Sequence, residues 1–133
     1  MLIPSIYFPG NCDEAIQYYK EAIGAEVQRI SYFRDAPPNS GMEGALPPNF
    51  VMYSEVLIFG TRFMLSDGGQ RPMKDENFGL QLTFDTADEV TAVFNKLAEG
   101  GRIIEPLAPQ FWTALNGNVE DRFGVHWNIL VMG

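Results

Sequence analysis

Two side chains in this sequence stand where chemistry is possible. Glu55 is a carboxylate inside the otherwise apolar run Val51-Met52-Tyr53-Ser54-Glu55-Val56-Leu57-Ile58, and His126 is the only histidine, next to Trp127. A carboxylate in such a run is costly to bury alone. It must meet a cation, face water in a cleft, or be held in its neutral form and serve as a base. Imidazole is the commonest general base, although a lone histidine beside a tryptophan is more often a hydrogen-bonded structural residue. Glu55 and His126 are therefore the candidate catalytic residues, each with a structural alternative. The pair Phe111-Trp112 reads as core, with Trp112 as the member that can reach a binding site.

The same inventory excludes several reaction classes. With one histidine, no two-histidine zinc site or facial-triad iron site can form within a subunit. Cys12 is the only cysteine, so there is no internal disulfide and no thiolate cluster. The chain contains no G-x-G-x-x-G, no G-x-x-x-x-G-K-[ST] and no G-x-S-x-G, the backbone devices that hold a dinucleotide, grip ATP phosphates or expose a nucleophilic serine. Nine Lys+Arg against 17 Asp+Glu give a formal net charge of −8, which opposes nucleic acid and anionic lipid as partners. No apolar run approaches a membrane span, and the N-terminal residues lack the basic region of a signal peptide, so a cytoplasmic location is expected.

The elements that must position these residues are legible from hydrophobic period and turn chemistry. Ile3 to Phe8 reads as a strand ended by Pro9-Gly10. Asn11 with Glu14 has capping-box spacing; Ala15, Ile16, Tyr19, Ala22 and Ile23 share one helical face, and Gly24 stops the helix. Val27 to Phe33 follows as a strand. Asp35 to Asn49, with four prolines and two glycines, is a long loop of the kind that serves as lid, partner contact or plain insertion. Phe50 to Phe59 and Arg62 to Leu65 form a hairpin across Gly60-Thr61, and Ser66 to Asn77 reads as a connection.

The pattern then starts again. Leu80, Leu82 and Phe84 alternate with polar residues in a strand, and Thr86-x-x-Glu89 opens a helix with the stripe Val90, Val93, Phe94 and Leu97 that ends at Gly100-Gly101. Arg102 to Glu105, Phe111 to Val119 and Val125 to Val131 complete the half, with a turn at Asp121 to Gly124. A chain of 133 residues fits one domain. It is expected as module one at about 1–67, a linker at about 68–77 and module two at about 78–133. Each module is strand, helix and three strands, with the helix over one face of a mostly antiparallel sheet.

Several stretches carry a resemblance: Gly10-Asn11-Cys12-Asp13-Glu14-Ala15 with Tyr18-Tyr19, Met64-Leu65-Ser66-Asp67, Phe94 to Gly101, Phe111-Trp112, and Asp121-x-Phe123-Gly124-Val125-x-Trp127. In order and spacing the sequence resembles the vicinal oxygen chelate superfamily, and within it the PhnB-like branch. That resemblance implies an α+β glyoxalase/bleomycin-resistance fold, with two βαβββ modules curving around a cavity. Metalloenzymes of the superfamily draw ligands from four strand positions, which fall here on Pro4, Tyr53, Gly79 and Asn128. Pro4 and Gly79 offer no side-chain donor, Asn128 is a weak one, and Tyr53 could serve only as a phenolate. No metal and no cofactor are expected.

The resemblance also sets the strand register. Residues two apart share a face, so His126 accompanies Asn128, Glu55 accompanies Tyr53 and Gln81 accompanies Gly79. Tyr53, Glu55, Gln81, His126, Asn128 and the neighbouring Trp112 are the expected ligand-binding residues, with Ile6, Phe8 and Leu57 as apolar lining. A homodimer that binds a small molecule without metal is the first expectation, and acidic charge with Glu55 favours a cationic ligand. An enzyme using Glu55 or His126 as base, or a non-catalytic interaction protein, are the alternatives. Branch names that imply methylation are not matched by any glycine-rich turn for a methyl-donor nucleotide.

Overall fold

The computed structural model describes residues 1–68 and 78–132. The chain divides into two compact units, Met1–Pro72 and Met73–Gly133. The linker expected at about 68–77 lies almost wholly outside the described residues.

In the first unit the elements are β1 (Ser5–Phe8), α1 (Cys12–Ile23), β2 (Glu26–Tyr32), a single 3₁₀ turn (Phe33–Asp35), β3 (Val51–Ile58) and β4 (Thr61–Asp67). The strands form one sheet in the order β1-β4-β3-β2, with β1 parallel to β4 and the other pairs antiparallel. Cys12, Ala15, Ile16 and Tyr19 of α1 are buried, as are Val56, Ile58, Phe63 and Leu65 of the strands. Each large apolar side chain withdrawn from water in this way contributes roughly 1.5–3 kcal/mol. Gly24 takes the left-handed conformation at φ 70° that ends α1 as expected.

The start of α1 differs from the sequence expectation. Asn11 makes no side-chain capping bond. Its place is taken by Asp67, whose Oδ1 accepts from the backbone N–H groups of Gly10 (2.9 Å) and Cys12 (3.0 Å) while Oδ2 accepts from Val51 N (2.9 Å). A buried carboxylate with three N–H donors satisfies the helix start from the neighbouring strand. This is why β4 runs on to Asp67, two residues beyond the expected Leu65. The long loop between Ala36 and Phe50 contains no helix or strand. Phe33 N donating to Phe50 O and Arg34 N donating to Pro48 O draw its two ends together.

The second unit repeats the plan: β5 (Leu80–Phe84), α2 (Ala87–Ala98), β6 (Arg102–Gln110), β7 (Thr113–Glu120) and β8 (His126–Val131), in sheet order β5-β8-β7-β6. Here β5 is parallel to β8, and β6, β7 and β8 are antiparallel neighbours. The Thr86 hydroxyl accepts from Glu89 N at 3.2 Å and donates to the Glu89 carboxylate at 2.9 Å, so this predicted cap does form. Val90, Phe94 and Leu97 are buried with Val119, Trp127 and Ile129. A second buried carboxylate mirrors Asp67. Asp121 accepts from Phe123 N, Val125 N and the Trp127 indole, fixing the turn between β7 and β8.

The strand after Gly101 is longer than expected, and the aromatic pair is not core. β6 and β7 meet in a two-residue turn, Phe111-Trp112, with Gln110 opposite Thr113. Phe111 is 97% exposed and Trp112 52%, the rings meeting edge to face at a centroid distance of 4.7 Å. Both rings stand in the exposed two-residue turn of the hairpin, which the aromatic character of the pair could not reveal. Among the described residues, no helix is long and apolar enough to cross a membrane.

Candidate functional site

In each unit the helix covers one sheet face and the other face carries the polar side chains. The register fixes which residues lie where, because cross-strand partners share a face. On the open face of the first unit, Tyr53 of β3 faces Ser31 and Glu55 faces Arg29, both on β2. Leu57 lies between Glu26 of β2 and Arg62 of β4. Ser5 and Tyr7 of β1 pair with Met64 and Ser66 of β4. Tyr53 and Glu55 come together directly: the phenol donates to Glu55 Oε1 at 2.8 Å.

That hydrogen bond is the largest cause holding the Tyr53 phenol above its ordinary pKa. Desolvation and the Glu55 charge add to it, and Arg29 and Arg62 oppose it. The neutral phenol is thus favoured over the phenolate that a metal would need. Glu55 is half-buried, and its partner is a hydroxyl rather than a cation.

The expected register of β1 is displaced by one residue. Phe8 pairs with Asp67, whose carboxylate reaches the start of α1, and Ile6 pairs with the fully buried Leu65. Ile6 and Phe8 therefore belong to the helix side, not to the open face they were expected to line. Ser5 and Tyr7 occupy that face. Alternation places Pro4 on the helix side with them.

The open face of the second unit is richer. Gln81, Asn128 and Asn118 are aligned across β5, β8 and β7, and Glu105 of β6 continues the row. His126, Glu120 and Arg102 form the next row, and Arg102 pairs with Glu120 at 3.3 Å. Gly79 permits this packing, since a Cβ there would stand 3.3 Å from the imidazole carbons of His126. His126 Nε2 lies 2.9 Å from Asn118 Oδ1, and Nδ1 is buried with no partner among the described residues. Asn128 Nδ2 donates to Asn116 Oδ1 at 2.8 Å and to the Gly117 carbonyl at 3.2 Å.

Asn116 and Asn118 were not among the expected site residues. The signal was present in Leu115-Asn116-Gly117-Asn118-Val119, where polar and apolar residues alternate and put both amides on one face. Trp112 lies at the tip of the hairpin that carries them.

Pro4, Tyr53, Gly79 and Asn128 do not make a ligand set. Two have no donor, the Tyr53 phenol is held neutral, and the Asn128 amide is committed to Asn116 and Gly117. Among the described residues, no group of three or more His, Cys, Asp or Glu is arranged to hold a metal ion. Cys12 is also unsuited to ligation or nucleophilic attack: burial first, then Asp67 and Asp13, push its thiol far above the ordinary range.

Comparison with known proteins gives consistent results. Residues 1–130 match the family described as 3-demethylubiquinone-9 3-methyltransferase. Protein YjdN of Escherichia coli strain K12 is 32% identical over 141 residues, covering 98% of this chain and 95% of that protein. The crystal structure of protein PA1353 from Pseudomonas aeruginosa is 30% identical with a TM-score of 0.82, covering 98% of this chain and 96% of the other. The PhnB protein from Bacillus cereus is 23% identical with a TM-score of 0.78, covering 98% of each chain. A glyoxylase/bleomycin resistance protein/dioxygenase domain from Frankia sp. EAN1pec is 11% identical with a TM-score of 0.67, covering 99% and 94%, and shares the fold.

Proposed function

We propose a small-molecule-binding role for this chain, which belongs to the PhnB-like family described as 3-demethylubiquinone-9 3-methyltransferase and has the glyoxalase/bleomycin-resistance fold. The observation that carries the proposal is the open face of the second unit. There Gln81, Asn116, Asn118, Asn128 and His126 present polar groups on one surface, four of them oriented by bonds to one another. A few polar groups held in fixed directions are what orients a small ligand. Their chemistry supports recognition better than turnover, because His126 has one nitrogen bonded to Asn118 and the other buried.

The ligand is bound without metal, and the protein works as a cytoplasmic homodimer. Metal independence is supported by the donor-poor positions above. Association is supported by exposed Tyr7, Phe78, Phe111 and Trp112, since large exposed apolar side chains favour contact with another surface. A thermal-shift screen of metals and small metabolites on tag-free protein tests the reading, because a ligand of the native state raises Tm by mass action. Stabilisation by metabolites and not by divalent ions is expected. Stoichiometric divalent metal in the purified protein would overturn metal independence, and a monomer by sedimentation would overturn the dimer.

One observation favours a second reading. Glu55 keeps one carboxylate oxygen without a hydrogen bond among the described residues while Tyr53 holds the other. That arrangement suits a general base on a small substrate. Glu55→Ala separates the two: turnover lost with binding intact supports the base, and binding lost supports simple recognition.

A further inference from the structure

The hydrogen bonds on the open face of the second unit have a direction. It begins at the Gly117 carbonyl, which can only accept. The Asn128 group 3.2 Å from it must therefore be the NH₂. The same NH₂ lies 2.8 Å from Asn116, so the Asn116 atom facing it must be the carbonyl oxygen. Asn116 is left with its own NH₂ pointing away from Asn128. This nitrogen has no partner among the described residues, and the residue that carries it is only 5% exposed. A backbone carbonyl thus sets the polarity of two side chains in series and ends in an anchored donor.

From this geometry we infer that Asn116 is the specificity-determining donor for a ligand carrying a neutral oxygen acceptor, a ketone-type carbonyl. The inference rests on the small-molecule reading above and names the ligand's chemistry. Asn118, one row along the same face, is oriented by His126. The Asn116 atom left without a partner is a donor, so the preference for cationic ligands expected from the acidic composition does not apply at this position. A carboxylate is also disfavoured, because the row of Asn118 and Asn128 ends at Glu105, while the Glu120 charge on this face is offset by Arg102. A neutral carbonyl meets neither obstacle. It also makes the donor worth keeping, since an amide NH₂ in so buried a residue gains most from an acceptor that displaces water.

The test uses the full-length protein, side-chain amide NMR and two probes of similar size, acetophenone as neutral acceptor and benzylammonium as donor. The Asn116 NH₂ resonances, assigned by their absence in Asn116→Asp, are expected to shift saturably with acetophenone and not with benzylammonium. Asn116→Asp keeps an oxygen for Asn128 and replaces the free donor by an acceptor. It should weaken acetophenone about threefold to tenfold, the range of one neutral hydrogen bond, and strengthen benzylammonium. Asn116→Ser, which retains a donor, should bind acetophenone more tightly than Asn116→Asp does.

Benzylammonium binding to the wild type at these resonances, or acetophenone affinity unchanged by Asn116→Asp, overturns the assignment and leaves the small-molecule reading standing. If neither probe moves the Asn116 resonances the assignment also falls, and if the metabolite screen then finds no ligand the small-molecule reading falls with it.

Discussion

The Tyr53 phenol donates a 2.8 Å hydrogen bond to Glu55 two residues along the same strand, so a carboxylate in an apolar run is held by a hydroxyl rather than by a cation. The bond raises the Tyr53 pKa, and folding therefore favours the neutral phenol. The resulting stability is fully present below the ordinary tyrosine range and is lost as pH rises through the folded value of Tyr53. Alkaline titration by tyrosinate absorbance, compared with Tyr53→Phe, should find this phenol ionising later than a free tyrosine. Glu55→Gln should bring it earlier. An unchanged titration in Glu55→Gln would show that the pair is not formed in solution.

Asp121 accepts from two backbone N–H groups and the Trp127 indole while only 2% exposed. Removing the acceptor strands all three donors in the interior. Asp121→Ala is expected to cost about 3–5 kcal/mol, measured by urea unfolding followed through tryptophan fluorescence. A cost below about 1 kcal/mol would mean that water replaces the carboxylate without strain.

Gly117 is fixed by space. A Cβ there would stand 2.6 Å from Phe94 Cε2 and 2.9 Å from Leu107 Cδ2. Gly117→Ala should therefore destabilise by about 1–3 kcal/mol through overpacking. Phe94→Leu in the same chain should recover part of the loss, which a double-mutant cycle would read as a coupling between the two sites. Additive losses would place the clash elsewhere.

Cys12 is fully buried, with its thiol pushed up by burial and by the Asp67 and Asp13 charges. At pH 8 it should be inert toward a thiol-exchange reagent in the native protein and react on unfolding in guanidinium. Rapid native labelling would indicate that the start of α1 opens readily.

The elements were legible where local chemistry decided them. The Thr86 cap, the Gly24 stop, the apolar stripes of both helices and the alternation of Leu80, Leu82 and Phe84 are short-range patterns, and each appears in place. The tight turn joining β3 and β4 was found one residue away, at Phe59-Gly60, both with positive φ. Tyr53, Glu55, Gln81, His126 and Asn128 fall on open faces as strand period required. The site was less legible in its bonding. Nothing local says that Glu55 meets Tyr53, or that Asn128 orients Asn116 across two strands.

The sequence by itself determined the duplicated strand-helix-strand-strand-strand plan, the poverty of metal ligands and the family, because these depend on residue types, periods and spacings within a few turns of chain. Only the tertiary structure decided what caps α1, where Phe111 and Trp112 lie, the face of Ile6 and Phe8, and the polarity of the Asn128–Asn116 relay. Each of these depends on a partner brought in from another strand. A carboxylate 55 residues away can replace a local cap, and one backbone carbonyl can set which end of an amide is left to meet a ligand. Hydrogen-bond direction is set by the atom that comes to lie opposite, and that atom is chosen by register.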